Sequence, residues 1–223
     1  MMRSWENRAD TFVCDEPFYA HYLNETGLDH PGADEVIASQ STDWREVAAW
    51  LTGPIPDGAT VFYQKHMAHH LLPVMELDWL AELRHALLIR EPKEMITSLI
   101  DFIPQPTLDD TGLPQQLRLL QHLESIGQAP IVFDSKDVLN DPQQMLGKIC
   151  DALGLEFQPS MLRWPAGKRE TDGVWAKHWY AKVEQTTEFA SYRPKNIPVP
   201  ETSLQVLEEC ESIYAELHER RLT

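Results

Sequence analysis

The sequence predicts an α/β fold: a mostly parallel sheet with helices on both faces. Two observations carry this. Short runs of β-branched and aromatic residues alternate along the chain with amphipathic stretches of helical period. Residues 85–100, HALLIREPKEMITSLI, read as a buried strand, an Arg at its end, a Glu-Pro-Lys turn and a helix bearing Ser98. That unit is how α/β proteins hold a phosphate beside the carboxyl end of a sheet.

The elements follow in order. Residues 1–8 read as helix. Thr11 to Cys14 is a short strand that runs into Asp15-Glu16-Pro17, and a helix begins near Phe18. Residues 24–42 are turn-rich, with Gly27, Pro31 and Gly32. Residues 43–51 form a helix with an Asp cap and Trp44, Val47, Ala48 and Leu51 on one face. Thr60 to Tyr63 is the second strand, residues 77–83 a helix, and Ala86 to Ile89 the third strand. Pro92 suits the first turn of the next helix, which Pro104 and Pro106 terminate. Residues 113–126 and 141–153 are amphipathic helices closed by Gly127 and Gly154, with a strand from Pro130 to Phe133 between them. Residues 155–200 read as irregular and aromatic-rich, and residues 202–221 as a closing helix. The count is four strands, where such folds have about five. No linker divides the chain, so residues 1–223 are expected to form a single α/β domain.

The chain has 223 residues and a formal net charge of −16. An acidic surface of that size argues against broad contact with nucleic acid or anionic lipid, so any anion must be met by a local cluster of Arg and Lys. Cys14, Cys150 and Cys210 are few, scattered and without CxxC spacing, which reads as reduced thiols in a cytoplasmic protein. No apolar run approaches the roughly 18 residues of a membrane helix, and the first ten residues lack a signal-peptide core. His66, His69 and His70 have helical spacing but no interleaved carboxylate, so no metal is expected.

Taken together, MRSWENR, DEPFYAHYL, YQKHMAHH, LIREPKEMITS, PIVFDSKDVLNDP and DGVWAKHWY resemble the sulfotransferases that use PAPS (3′-phosphoadenylyl sulfate), in a bacterial branch of that P-loop family. The likeness spans roughly residues 1–195. It implies sulfuryl transfer from PAPS to a hydroxyl or amine of a small-molecule acceptor, with PAP (adenosine 3′,5′-bisphosphate) as the product. It also implies roles for particular residues. Arg90 and Ser98 match the 3′-phosphate motif, where Arg supplies a planar charged fork and Ser a neutral donor. Lys168 and Arg169, with Gly173 and Trp175, are similar to a late basic motif that closes over the nucleotide, although Glu170 and Val174 replace a Gly and an Asp of that motif. Trp175 either stacks on adenine or packs in a core or lid. Glu16 occupies the place of a general base; as a residue before Pro and a helix signal it also reads as a helix-capping acid. His66 stands where other members of the family carry a catalytic His, and Lys65 or His66 is expected to meet the acceptor or the bridging oxygen.

The resemblance further implies a strand and a phosphate loop ahead of residues 1–4, which match the middle of the following helix. No GxxxxGK[ST] or Gly-rich turn after a strand occurs in these residues. The expectation is therefore a marginal, inactive chain, most simply explained by a start assigned too late. Two alternatives remain. One is a P-loop small-molecule or nucleotide kinase, with Asp15 or Asp134 holding Mg²⁺. The other is a non-catalytic nucleotide-binding remnant. The acceptor would be set by residues 24–42, 104–112 and 155–200; the oligomeric state is left open.

Overall fold

The computed structural model describes all residues, Met1–Thr223. In chain order the regular elements are α1 (Met2–Glu6), β1 (Thr11–Asp15), α2 (Tyr19–Thr26), α3 (Ala33–Ser39), α4 (Trp44–Leu51), β2 (Val61–Lys65), β3 (Ala86–Ile89), α5 (Pro92–Leu99), α6 (Leu113–Ser125), β4 (Ile131–Asp134), α7 (Ser135–Asn140), α8 (Pro142–Leu153), α9 (Ala176–Trp179) and α10 (Leu204–Glu219). They fall into two compact units, Met1–Trp79 with Gln158–Phe189, and Leu80–Phe157 with Ala190–Thr223. Each unit is built from two separate stretches of chain, so no single linker marks the division.

In the first unit β1 and β2 pair in parallel, from Thr11 opposite Val61 to Asp15 opposite Lys65. The crossover between them carries α2, α3 and α4. In α4 the Asp43 carboxylate caps the Arg45 N–H at 2.8 Å, and Trp44, Val47, Ala48 and Leu51 are buried. Helix α1 buries Trp5, whose ring stacks on Tyr63 of β2 with centroids 5.1 Å apart. A second cluster joins Tyr19, Ala20, Tyr22 and Leu23 of α2 to Val36 of α3 and Trp175. Helix α3 lies inside the predicted turn-rich stretch. Val36 is its one buried residue, so it leaves no apolar stripe to read.

In the second unit β3 and β4 pair in parallel, from Ala86 opposite Ile131 to Ile89 opposite Asp134. The far edge of β4 is met by the chain's last residues, where Leu222 N–H donates to the Val132 carbonyl at 2.7 Å. Helices α5, α6, α8 and α10 bury Ile96, Leu120, Leu123, Leu146, Ile149 and Leu217 around this pair. Helix α8 stops at Gly154, at φ 73°, because a left-handed residue lets Leu155 N–H reach back to the Cys150 carbonyl at 2.8 Å. The predicted helix at 77–83 is a 3₁₀ turn, Asp78–Glu82. Helix α7 was not legible: it is six residues long and buries Val138 alone. No helix is long and apolar enough to cross a membrane.

A buried histidine gives the first unit a pH dependence. His70 is 3% exposed, lies between Tyr19 and Tyr22 with ring centroids 4.7 Å from each, and its Nδ1 has no hydrogen-bond partner. Burial, reinforced by His69, Lys65, His30 and His66, pushes it well below the usual 6.5. The native state thus holds His70 neutral, while the unfolded chain takes up a proton below about 6.5. The associated stability is full above that pH and is lost as pH falls toward the native value, by up to about 1.4 kcal/mol per pH unit. Thermal unfolding between pH 7.5 and 5.5 is expected to show this fall, and His70→Phe to flatten it. Equal slopes for the two chains would refute the assignment.

Candidate active site

The first unit places a compact polar cluster at the carboxyl ends of β1 and β2. Glu16, the first residue past β1, has φ 42°. This left-handed backbone is uncommon for a residue with a side chain, is tightened further by Pro17, and costs on the order of 1–3 kcal/mol. The turn is held by Glu16 N–H donating to the Lys65 carbonyl at 2.8 Å. The Glu16 carbonyl in turn accepts from Tyr19 N–H at 3.1 Å and from Gln40 Nε2 at 3.2 Å. The predicted capping role is not what its side chain does, since α2 has Phe18 at its N-cap and no side-chain cap bond. Instead Glu16 Oε1 accepts from Lys65 Nζ in a short contact.

Asp15 and Tyr180 complete the cluster. Lys65 Nζ also donates to Tyr180 Oη at 2.9 Å, and that hydroxyl donates to Asp15 Oδ2 at 2.6 Å. Lys65 Nζ stands 3.2 Å from Asp15 Oδ1, an ion-pair distance, yet that oxygen is buried and accepts no hydrogen bond. Burial raises the Glu16 carboxyl above its ordinary range, against the lowering pull of Lys65. For Lys65 burial alone would lower the ammonium, but Glu16 and Asp15 outweigh it and the group is raised. The arrangement is a buried carboxyl that takes a proton more readily than a free one, beside a cation that stays charged. Lys65 spends two of its three N–H donors, on Glu16 and Tyr180.

His66 follows β2 and is held by Gln64 Oε1 at 3.3 Å, its ring 5.6 Å from that of Phe18. The predicted nucleotide lid behaves differently from its expectation. Arg169 donates to the Pro165 carbonyl at 2.8 Å and lies 3.5 Å from Glu6, while its N–H meets Asp172 at 2.9 Å. Asp172 is gripped by both Nη atoms of Arg3 at 2.7 Å, so this loop is fastened to α1. Lys168 is exposed. Trp175 is 2% exposed in the Tyr19–Tyr22–Val36 cluster and offers no open face for stacking. Gly173 serves that packing: a Cβ there would collide with the Trp175 ring.

The second unit brings Arg90 and Ser98 onto one residue. Arg90 Nε is 3.8 Å from Glu94 Oε2, and Ser98 Oγ donates to the Glu94 carbonyl at 3.0 Å. Glu94 and Ser98 are one turn apart on α5, and Arg90, which precedes the helix and its Glu91 N-cap, reaches Glu94 from the end of β3. Two further groups, invisible at this distance in sequence, join them. Lys195 Nζ donates to Ser98 Oγ at 2.5 Å, and Tyr192 Oη to Glu94 Oε1 at 2.7 Å. Lys136 lies over the Tyr192 ring, 5.4 Å from its centroid. A strongly acidic chain thus concentrates Arg90, Lys136 and Lys195 near the carboxyl ends of β3 and β4. No group of three or more His, Cys, Asp or Glu side chains is placed to hold a metal ion. Asp134, one of the two carboxylates weighed for Mg²⁺, caps Lys136 N–H at 2.7 Å and accepts from Tyr214 Oη at 2.6 Å.

Parallel strand pairs with helical crossovers and polar groups at their carboxyl ends define an α/β fold. The chain belongs to the sulfotransferase domain family, which matches residues 1–220. It is 34% identical over 199 residues to branched-chain-amino-acid aminotransferase-like protein 1 of Arabidopsis thaliana, covering 89% of this chain and 35% of that protein. Against the same plant's protein 2 the identity is 30% over 214 residues, 96% of this chain and 38% of the relative. The chain spans little more than a third of the length of these relatives. The sulfotransferase domain from the Synechococcus PCC 7002 olefin synthase has the same fold, with a TM-score of 0.51 at 14% identity over 93% of this chain and 88% of that one. The sulfotransferase domain from the curacin biosynthetic pathway aligns at a TM-score of 0.44 and 16% identity, over 87% and 78% of the two chains.

Proposed function

We propose that this chain is the acceptor-activating and 3′-phosphate-binding part of a sulfotransferase that moves a sulfuryl group from PAPS to a hydroxyl or amine of a small molecule. In the reaction the acceptor atom attacks sulfur in line, the bond from sulfur to the 5′-phosphate oxygen breaks, and PAP departs. The acceptor's proton passes to Glu16, whose raised carboxyl suits a general base. Lys65 holds that carboxylate in place. Arg90, Ser98 and Lys195 grip the 3′-phosphate, with Glu94 as the counter-ion of Arg90 until the anion arrives. His66 faces the acceptor from the end of β2. Lys168, exposed beside the fastened Arg169, stays available to the nucleotide. No metal takes part.

The observation that carries the reading is the convergence of Arg90, Ser98 and Lys195 around Glu94 in a chain of net charge −16. The sequence supplies no Gly-rich phosphate loop for the donor's 5′ end, so the chain by itself is expected to bind without turning over. Binding is therefore the direct test. Calorimetric titration with PAP, 5′-AMP and Mg²⁺–ATP should give PAP at least tenfold tighter affinity than 5′-AMP. Tighter binding of Mg²⁺–ATP than of PAP would favour the kinase reading, and no nucleotide binding at all would end the donor-site assignment. The three free thiols, two of them buried, fit a reducing, cytoplasmic setting.

A further inference from the structure

We propose that Tyr180 is a positioning residue whose hydroxyl occupies Asp15 and so keeps the Lys65 ammonium on Glu16. The inference rests on the reading of Glu16 as base and adds to it the question of which of two adjacent carboxylates receives the one cation. A phenol has a single proton to give. Here it goes to Asp15 Oδ2 at 2.6 Å, while Glu16 Oε1 lies 3.5 Å from the same hydroxyl. The lone pairs of Tyr180 accept from Lys65 at 2.9 Å, which orients Nζ. Tyr180 is the one side-chain hydrogen-bond donor to Asp15, whose other oxygen is buried and unbonded 3.2 Å from Nζ.

Asp15 is therefore poised to capture Lys65. An unsatisfied buried carboxylate is costly, and the nearest remaining donor is the same ammonium. Without the Tyr180 hydroxyl, Nζ, already 3.2 Å from Oδ1, needs only to turn an N–H toward it. Glu16 would then lose part of its counter-charge. The other ionisable groups coupled to the cluster are Tyr19, Tyr63, Cys14, His70 and the Met1 amino group. Burial raises the two hydroxyls and the thiol and lowers the imidazole and the amine, so each favours its neutral form and none competes for the cation.

The test is carbon-13 carboxyl titration of Glu16 and Asp15 in the full chain, which needs no turnover. In Tyr180→Phe the Glu16 midpoint should rise by about one unit, a tenfold gain in proton affinity. In an Asp15→Asn background, where no competitor remains, the same substitution should leave Glu16 nearly unmoved. An unshifted Glu16 in Tyr180→Phe, or an equal shift with Asp15 absent, overturns the proposal. If Tyr180→Phe does not fold, 3-fluorotyrosine at position 180 replaces it. Its stronger donation to Asp15 should lower the Glu16 midpoint, and a rise or no change refutes the idea. A Glu16 that responds as described but is dispensable for sulfuryl transfer would overturn the base assignment and leave the positioning role intact.

Discussion

Glu16→Gln is expected to lower sulfuryl transfer by about 100- to 10,000-fold in a gene product that also carries a phosphate loop, the range spanned by loss of a general base. The substitution keeps the shape and the left-handed backbone, and Gln can still accept a hydrogen bond from Lys65. Affinity for PAP, which is gripped by other residues, should stay within about twofold. The loss is thus confined to kcat, and kcat measured across pH separates it from a folding defect. His66→Ala serves as the comparison. If that variant loses the larger factor while Glu16→Gln transfers normally, the base is His66. Burial and the φ of 42° favour Glu16, because strain of that kind persists where the surroundings over-determine a residue.

Arg90→Ala should weaken PAP binding by about 2 kcal/mol, roughly 30-fold, as expected when a charge-assisted contact to phosphate is removed. The Arg90–Glu94 pair is long, at 3.8 Å, and its Arg is partly exposed, so little is lost by exchanging Glu94 for phosphate. Binding of 5′-AMP, which lacks the 3′-phosphate, should be unchanged by the substitution. Calorimetry with the two nucleotides reads the difference directly. Equal weakening for both, or for neither, would remove Arg90 from the 3′-phosphate site.

The strands were legible because each is a short run of apolar residues, β-branched or aromatic in β1, β2 and β4 and aliphatic in β3. The larger helices were legible through their caps and apolar faces, as in α4 with Asp43 and α8 with Gly154. Helices α3 and α7 escaped because each buries one residue, which leaves no period to detect. In the site, Glu16 and Arg90 stood out because each sits at the end of a strand, a local signal. Lys195 reaches Ser98 across 97 positions and Tyr180 reaches Asp15 across 165. No spacing rule spans such separations, since they are set by tertiary packing alone. For Trp175 the sequence left two readings, stacking on adenine or packing in a core or lid, and the ring lies in a core against which Gly173 approaches closely.

The interleaved construction of the two units bears on how the protein is made. Synthesis runs from the amino end, and the first unit lacks Gln158–Phe189 until the ribosome has produced all of Leu80–Phe157. Until then Arg3 has no Asp172, Asp15 has no phenol, and the left-handed turn at Glu16 lacks its surroundings. The nascent chain therefore cannot finish one half before starting the other, and a translation pause ahead of residue 158 would leave an unclosed carboxylate cluster exposed to chaperones and proteases.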